Sequence, residues 1–323
     1  MEQKTSNAVY IAKAFAVLSI VSAHCAYVLE NSCRLNLFAS RLLNSFGSIG
    51  VGIFLLFAGY FMSGTKLNIR EFFLKKAKSL AVPWLFCGTL VYFYVYLRSG
   101  GISIKSWILW VLGDQTYLYY MTVLCLLYFI CFFFRKNRIV LFAFIFVSVI
   151  SNVLTALGLL DGINPYLNPF NFLVYFCIGL LIANYGFLEK FFSFSKKYLL
   201  LFISAFVLLF LITAYLEIGI SYFKLYFIPV EVLAFLTVSG IAYKFSNNEL
   251  LRNIGKASFA IYMLHMPIAG ITANIFGKVD FFLLTLLRPF IVLITVYAAI
   301  KLLTFVVKNR KASGFIYTLI GMR

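Results

Sequence analysis

Charged side chains are scarce: 12% of the 323 residues are Asp, Glu, Lys or Arg, and only ten are acidic, against about 25% charged in a typical soluble domain. With 63% of the chain hydrophobic, too little polar surface remains for a soluble globular fold. Strands that alternate polar and apolar residues are missing as well. LFAFIFVSVI (141–150) and LLLFISAFVLLFLITAYL (199–216) are apolar on every side, which excludes a water-filled barrel. The six cysteines have neither metal-ligand nor CxxC spacing, so no metal site is expected and most read as small packing residues. Cys25 and Cys33, flanking the outer end of the first apolar run, are the one candidate pair. No internal repeat, low-complexity tract or linker divides the chain, and residues 1–323 read as one domain.

What is present is a series of long apolar runs, with a mean hydropathy of +0.98. They lie near 8–28, 45–63, 79–97, 115–134, 139–159, 168–185, 198–216, 225–243, 258–276 and 281–307, bounded by charges or by Gly, Asn and Pro. Each is close to the roughly 20 residues that cross a bilayer as helix. The fold class is therefore all-α, a polytopic integral membrane protein with about ten transmembrane helices. Lys4 before AFAVLSIVSA (14–23) has the look of a signal peptide, but Lys13 inside the run and HCAYVL after it favour a retained helix.

A net charge of +18 in a soluble protein would suggest nucleic acid. Here the charges follow topology. Arg34, Arg41, Arg98, Lys105, Lys224 and Lys278 fall on one side of the expected spans, and Lys13, Arg288 and Lys301 fall inside them. The other nineteen of the 28 basic residues share the side of the N-terminus. The positive-inside rule then places both termini in the cytoplasm and leaves no role for a nucleic-acid partner.

Two outer segments are richer than connectors need to be. SGGISIKSWILWVLGDQTYLYY (99–120) carries Trp107 and Trp110, as an interfacial helix or re-entrant segment would. DGINPYLNPFN (161–171) offers Tyr166 and Asn168 with almost no charge. Amides and an aromatic face suit sugar hydroxyls and ring C–H groups, while Asn-Pro pairs also simply stop helices.

Ionisable groups within spans are costly and point to function. They are Lys13, His24, Glu231, His265, Arg288 and Lys301, with Asp114 and Glu217 at outer ends. Lys13 and His24 are eleven residues apart, about 16 Å of rise and three turns plus about 20°, so both leave one face of the first helix. A polar line thus crosses the membrane, Lys13 toward the cytoplasm and His24 toward the outside. It suits a donor and an acceptor arriving from opposite sides. Lys13 with Lys75, Lys76 and Lys78 would attract a phosphate-bearing donor such as an acyl-coenzyme A, and a neutral His24 would take the proton of an acceptor hydroxyl. The plainer alternative is a snorkelling lysine, an interhelical hydrogen bond and positive-inside charge.

Several stretches, in order, resemble the membrane-bound acyltransferase-3 family, which includes bacterial O-acetyltransferases of surface polysaccharides. The family's first helix has Arg, ten residues, then His, and this chain has Lys13, ten residues, then His24. GVGIFLLFAGYF (50–61) is similar to its second helix, with Ala58 in place of a usual Ser, and FFLKKAKSLAVP (72–83) to its basic run before a proline, with Lys76 for Arg. LYYMTVL (118–124) and NFLVYFCIGLLIANYG (171–186) resemble its next segments, Tyr119 or Tyr120 replacing a tryptophan. IGKASFAIYMLHMPI (254–268) resembles its late Ser, Tyr, Leu, His, Pro motif.

The resemblance implies that His24 is the catalytic histidine and that Lys13 serves the donor side. The implied reaction passes an acyl group, acetyl above all, from cytoplasmic acetyl-CoA to a hydroxyl of a glycan or its lipid-linked precursor, at a bacterial cytoplasmic membrane. No cofactor would stay bound, and the partners would be acyl-CoA, the glycan acceptor and membrane lipids. Asp114 is the expected orienting carboxylate for His24, by depth. Glu231 would orient His24, serve His265 or pair with Arg288 or Lys301, and His265 would hold substrate or a neighbouring helix. Gly50, Gly52 and Gly59 would admit a thin pantetheine arm or close helix packing. The alternative function is export of a glycan or lipid-linked sugar, against which the missing inverted repeat weighs. Reporter fusions after Arg135 and Lys196 are expected to report the cytoplasm and one within 161–168 the outside; the reverse pattern would overturn the orientation.

Overall fold

A computed structural model describes residues 3–215, 227–307 and 310–322. In chain order the α-helices are α1 Gln3–His24, α2 Arg34–Gly47, α3 Ile49–Ser63, α4 Ile69–Lys76, α5 Val82–Ser99, α6 Ile104–Leu112, α7 Tyr119–Phe132 and α8 Arg138–Ala156. They continue as α9 Leu173–Tyr185, α10 Leu188–Lys197, α11 Leu199–Tyr215, α12 Phe227–Lys244, α13 Glu249–Lys256, α14 Ser258–Phe276, α15 Phe282–Val306 and α16 Arg310–Ile320. A π-helical turn, Ala77–Ala81, joins α4 to α5, and a 3₁₀ turn, Pro169–Phe172, leads into α9. Among the described residues there is no strand.

Six helical segments among the described residues are long and apolar enough to cross a membrane: Gln3–His24, Arg34–Ser63, Ile69–Leu97, Arg138–Ala156, Ser258–Phe276 and Phe282–Val306. Pro169–Tyr185 with Leu188–Lys197, bent by 106°, would make a seventh. The expected runs at 115–134 and 198–216 hold shorter apolar helices, and the run at 225–243 holds α12. Large apolar side chains cover the periphery, such as Phe146, Leu200 and Phe305, all exposed. Such a surface suits lipid rather than water. The chain is a multi-pass helical membrane protein.

The middle of the bundle belongs to α1, which packs on α2, α3, α12, α13, α14 and α15. Its small residues allow this: Ala8, Ala12, Ala16 and Ser19 are all buried. Neighbours approach through bare backbone. A Cβ at Gly50 would lie 2.2 Å from the Ala16 carbonyl, and one at Gly255 would lie 1.8 Å from that of Tyr10. The α3–α9 pair, the most extensive in the bundle, works the same way and in both directions. Gly59 sits on the Phe176 carbonyl and Gly179 on that of Leu56. Close contact through small residues replaces the hydrophobic drive that is missing between helices in lipid. Gly50 and Gly59 are thus packing residues.

Polar groups finish the loops. Asn68 and Ser103 cap α4 and α6 through capping boxes. The 99–120 segment folds back on α5 rather than lying apart: Trp107 Nε1 donates to Thr89 Oγ1 and Trp110 Nε1 to the Gly88 carbonyl, both at 3.0 Å. Asp280, between α14 and α15, accepts from the Cys33 backbone N–H at 2.8 Å and from Asn36 Nδ2 at 2.9 Å. The Cys33 bond holds its carboxyl below the ordinary range. Cys25 is buried, Cys33 is exposed, and the two thiols are unbonded.

Gly179→Ala is expected to force α9 off the Leu56 carbonyl and to destabilise the protein by about 1–3 kcal/mol. Gly270→Ala, where a Cβ meets nothing within 4 Å, should be neutral. Thermal unfolding of the purified protein in detergent checks both.

Candidate active site

Lys13 and His24 open into two cavities placed along one face of α1. The first, about 340 Å³, is lined by Lys13, Lys76, Lys256, Ser79 and Ser258 among aromatic rings. The second, about 180 Å³, is lined by His24, Asn44, Ser48, Tyr117, Tyr119 and Tyr166. Tyr120 and Tyr262 line both. Their rings meet edge to face with centroids 5.4 Å apart, a pair of aromatic leaves between the two spaces.

The first cavity is a cationic one, with no carboxylate among its lining side chains. Lys13 Nζ lies 4.9 Å from the centre of the Phe61 ring. Lys76 Nζ donates to Tyr128 Oη at 2.8 Å and lies 4.1 Å from its ring centre, and Lys256 Nζ is 5.8 Å from the ring of Tyr10. Aromatic rings attract each of these ammonium groups through their negative faces. The π turn after Lys76, of a kind often found at functional sites, places Ser79 and Leu80 in the same wall. Lys75 and Lys78 do not join them: both are exposed, and Lys75 lines a separate opening with Lys136 and Ser63.

At the other end the structure brings the two histidines together, ring centroids 5.0 Å apart. His265 is fully buried, and its Nδ1 is 2.7 Å from the Tyr262 carbonyl. A carbonyl only accepts, so this contact assigns the hydrogen to Nδ1 and leaves Nε2 as an acceptor. Nε2 is buried with no hydrogen-bond partner among the described residues. Tyr117 packs edge-on to both rings, at 6.2 Å from His24 and 5.3 Å from His265. It is itself fixed by donating to the Met263 carbonyl at 2.9 Å and by accepting at its own carbonyl from Tyr262.

Depth alone misplaced the carboxylates. Asp114 makes no hydrogen bond to His24; its Oδ1 accepts from Asn164 Nδ2 at 3.1 Å, and Asn164 Oδ1 in turn accepts from the Tyr166 N–H at 3.0 Å. Asp114 thus braces the loop that carries Tyr166, whose ring lies 5.1 Å from that of Tyr119 at the His24 cavity. Glu231 lies elsewhere, between α12 and Gly52 of α3, and pairs with neither His265, Arg288 nor Lys301. Arg288, buried, donates to the Tyr27 carbonyl, and Lys301 lies over Tyr297. Asn168 is buried, capping the 3₁₀ turn at Phe170 and donating to Ser151 Oγ at 3.1 Å. Glu217 lies outside the described residues.

Sequence reading missed Lys256, Ser258 and the Tyr120–Tyr262 pair. A signal was available for α14: Ser258, Tyr262 and His265 stand at i, i+4 and i+7, one helical face. That stripe runs beside the Lys13–His24 stripe of α1, so two polar stripes face each other across both cavities. Among the described residues no three His, Cys, Asp or Glu side chains gather as a metal site.

Comparison with known proteins gives the family. Searches of curated proteins and of solved structures returned no match. The profile of the acyltransferase-3 family, described as an acyltransferase domain, matches residues 7–307, and the chain belongs to that family.

Proposed function

We propose that this protein carries an acyl group, acetyl in our reading, from acetyl-CoA at the Lys13 cavity to a hydroxyl of a glycan or lipid-linked sugar at the His24 cavity. The observation that carries this reading is the pair of cavities meeting at Tyr120 and Tyr262. One is cationic, as a phosphate-rich donor requires, and the other holds an imidazole, as hydroxyl activation requires. The basic asymmetry of the sequence supports a cytoplasmic donor side in a bacterial inner membrane.

Lys13, Lys76 and Lys256 bind the donor's phosphates by charge-assisted hydrogen bonds. The acyl thioester reaches past Tyr120 and Tyr262 toward His24. Neutral His24 takes the proton of the acceptor hydroxyl as its oxygen attacks the thioester carbonyl. The carbon–sulfur bond then breaks, and His24 returns the proton to the departing thiolate.

His265 acts here as a positioning residue. Its Nε2, unpartnered among the described residues, is an acceptor that the neighbouring His24 N–H reaches by a small turn of the ring, which leaves the other His24 nitrogen for the hydroxyl. The imidazolium formed also lies at the C-terminal end of α1, where the helix dipole favours positive charge. These two neutral influences replace a carboxylate partner.

His24→Ala is expected to lower turnover about 10²–10⁴-fold, with normal abundance and folding. His265→Ala should lower kcat while leaving KM for acetyl-CoA unchanged, and His265→Gln, which keeps an acceptor, should recover part of it. Acetyl transfer by the purified protein in proteoliposomes measures both, and full activity in His24→Ala would sink the assignment. Lys13→Ala should instead raise KM for acetyl-CoA about tenfold or more, the scale of one hydrogen bond to a charged group, and Lys13→Arg should restore it. In cells, deletion of the gene should remove the mass increment of one acetyl group from the surface glycan; loss of all surface glycan would favour an exporter.

A further inference from the structure

The acyl-transfer reading leaves Glu231 without a task. Its side chain is 3% exposed, and both carboxyl oxygens are buried without a hydrogen-bond partner among the described residues. Buried polar groups are nearly always satisfied, so an orphan pair of oxygens asks for an occupant. The fold has made room for this acid rather than merely tolerating it. A Cβ at Gly52 would lie 2.1 Å from Oε1, so α3 shows bare backbone where α12 shows the carboxyl.

Glu231 lines a third cavity, of about 190 Å³, between α3, α9 and α12. Apart from Tyr175 and the Gly52 backbone, the rest of its wall is aliphatic or phenyl, including Leu56, Ile178 and Phe235. Val232, also in the wall, is half exposed, so the cavity opens on the apolar outside of the bundle, where lipid lies. It is separate from the His24 cavity: Val51 lines that one and Gly52 lines this one, neighbours on different faces of α3.

An occupant must match an apolar wall and one carboxyl. An ammonium group would bring three donors to a single acid and leave the others unsatisfied. A hydroxyl or an amide N–H brings one donor, and an apolar chain fills the remainder. We propose that this cavity is a lipid-binding site, taking the chain of an amphiphile whose hydroxyl or amide hydrogen-bonds to Glu231. The same chemistry is offered by an uncharged hydroxyl-bearing lipid of the bilayer, such as a diacylglycerol, and by a free polyprenol.

The test uses two photoreactive probes of equal chain length bearing a diazirine at the same carbon, one a long-chain alcohol and the other the matching alkane. The purified protein in detergent is labelled and its peptides are analysed by mass spectrometry. The alcohol is expected to label the segments 52–56, 174–182 and 228–236 about tenfold more than the alkane, the scale of one hydrogen bond to a carboxyl. Glu231→Leu should abolish that preference while alkane labelling persists, which also reports that the cavity still folds. Glu231→Gln, keeping a hydrogen-bonding group, should retain most of it, and Ile178→Trp should block both probes. Equal labelling by the two probes in the unmodified protein, or a preference that survives Glu231→Leu, would overturn the proposal. Unlabelled diacylglycerol and polyprenol are then compared as competitors. Displacement by the first assigns the site to bilayer lipid, displacement by the second assigns it to the acceptor's carrier, and displacement by neither counts against a lipid site.

Discussion

Backbone meeting backbone around α1 and α3 sets the position of every side chain in the site. Gly50 and Gly255 leave no space between their helices and the carbonyls of Ala16 and Tyr10, and Gly47 rests against Ala23, the neighbour of His24. Contacts of this kind have no rotamers to average over. They hold Lys13 and His24 to the spacing of a rigid helix, and they bring α14 near enough for His265 to reach His24. A looser bundle of larger side chains would keep the residues and lose the register between the stripes.

The chemistry is divided by environment rather than by domain. Ammonium groups gather where rings and hydroxyls surround them. The imidazoles stand among tyrosines, main-chain carbonyls and the neutral side chains of Asn44 and Ser48. A single hydrogen bond to a carbonyl decides the tautomer of His265. Asp114 enters two bonds away, through Asn164 and the Tyr166 loop.

Much of this was legible in the sequence, and the limits were geometric. The apolar runs located the helices, and eleven residues between Lys13 and His24 fixed a common face on α1. Rise per residue gives depth along a helix, yet it says nothing about where that helix stands around the bundle. Asp114 was therefore assigned to His24 by depth, while its helix neighbourhood turned it to Asn164. Glu231 was left open between a histidine and the cations Arg288 and Lys301, while α12 carried it to Gly52 instead. Lys75, Lys76 and Lys78 looked equivalent in a basic run, and only Lys76 faces the cavity. Lys256 was hidden for the opposite reason, as one more cation on a side already rich in them.

Between the cavities stand Tyr120 and Tyr262, and they are not held alike. The hydroxyl of Tyr262 donates to the Tyr117 carbonyl, whereas the Tyr120 ring is held by packing, against Phe54 and Tyr262. Around them, parting α3 from α9 would tear main chain from main chain at Gly59 and Gly179. A frame pinned in this way is ill suited to the rocking of halves by which a carrier turns its site from one face of the membrane to the other.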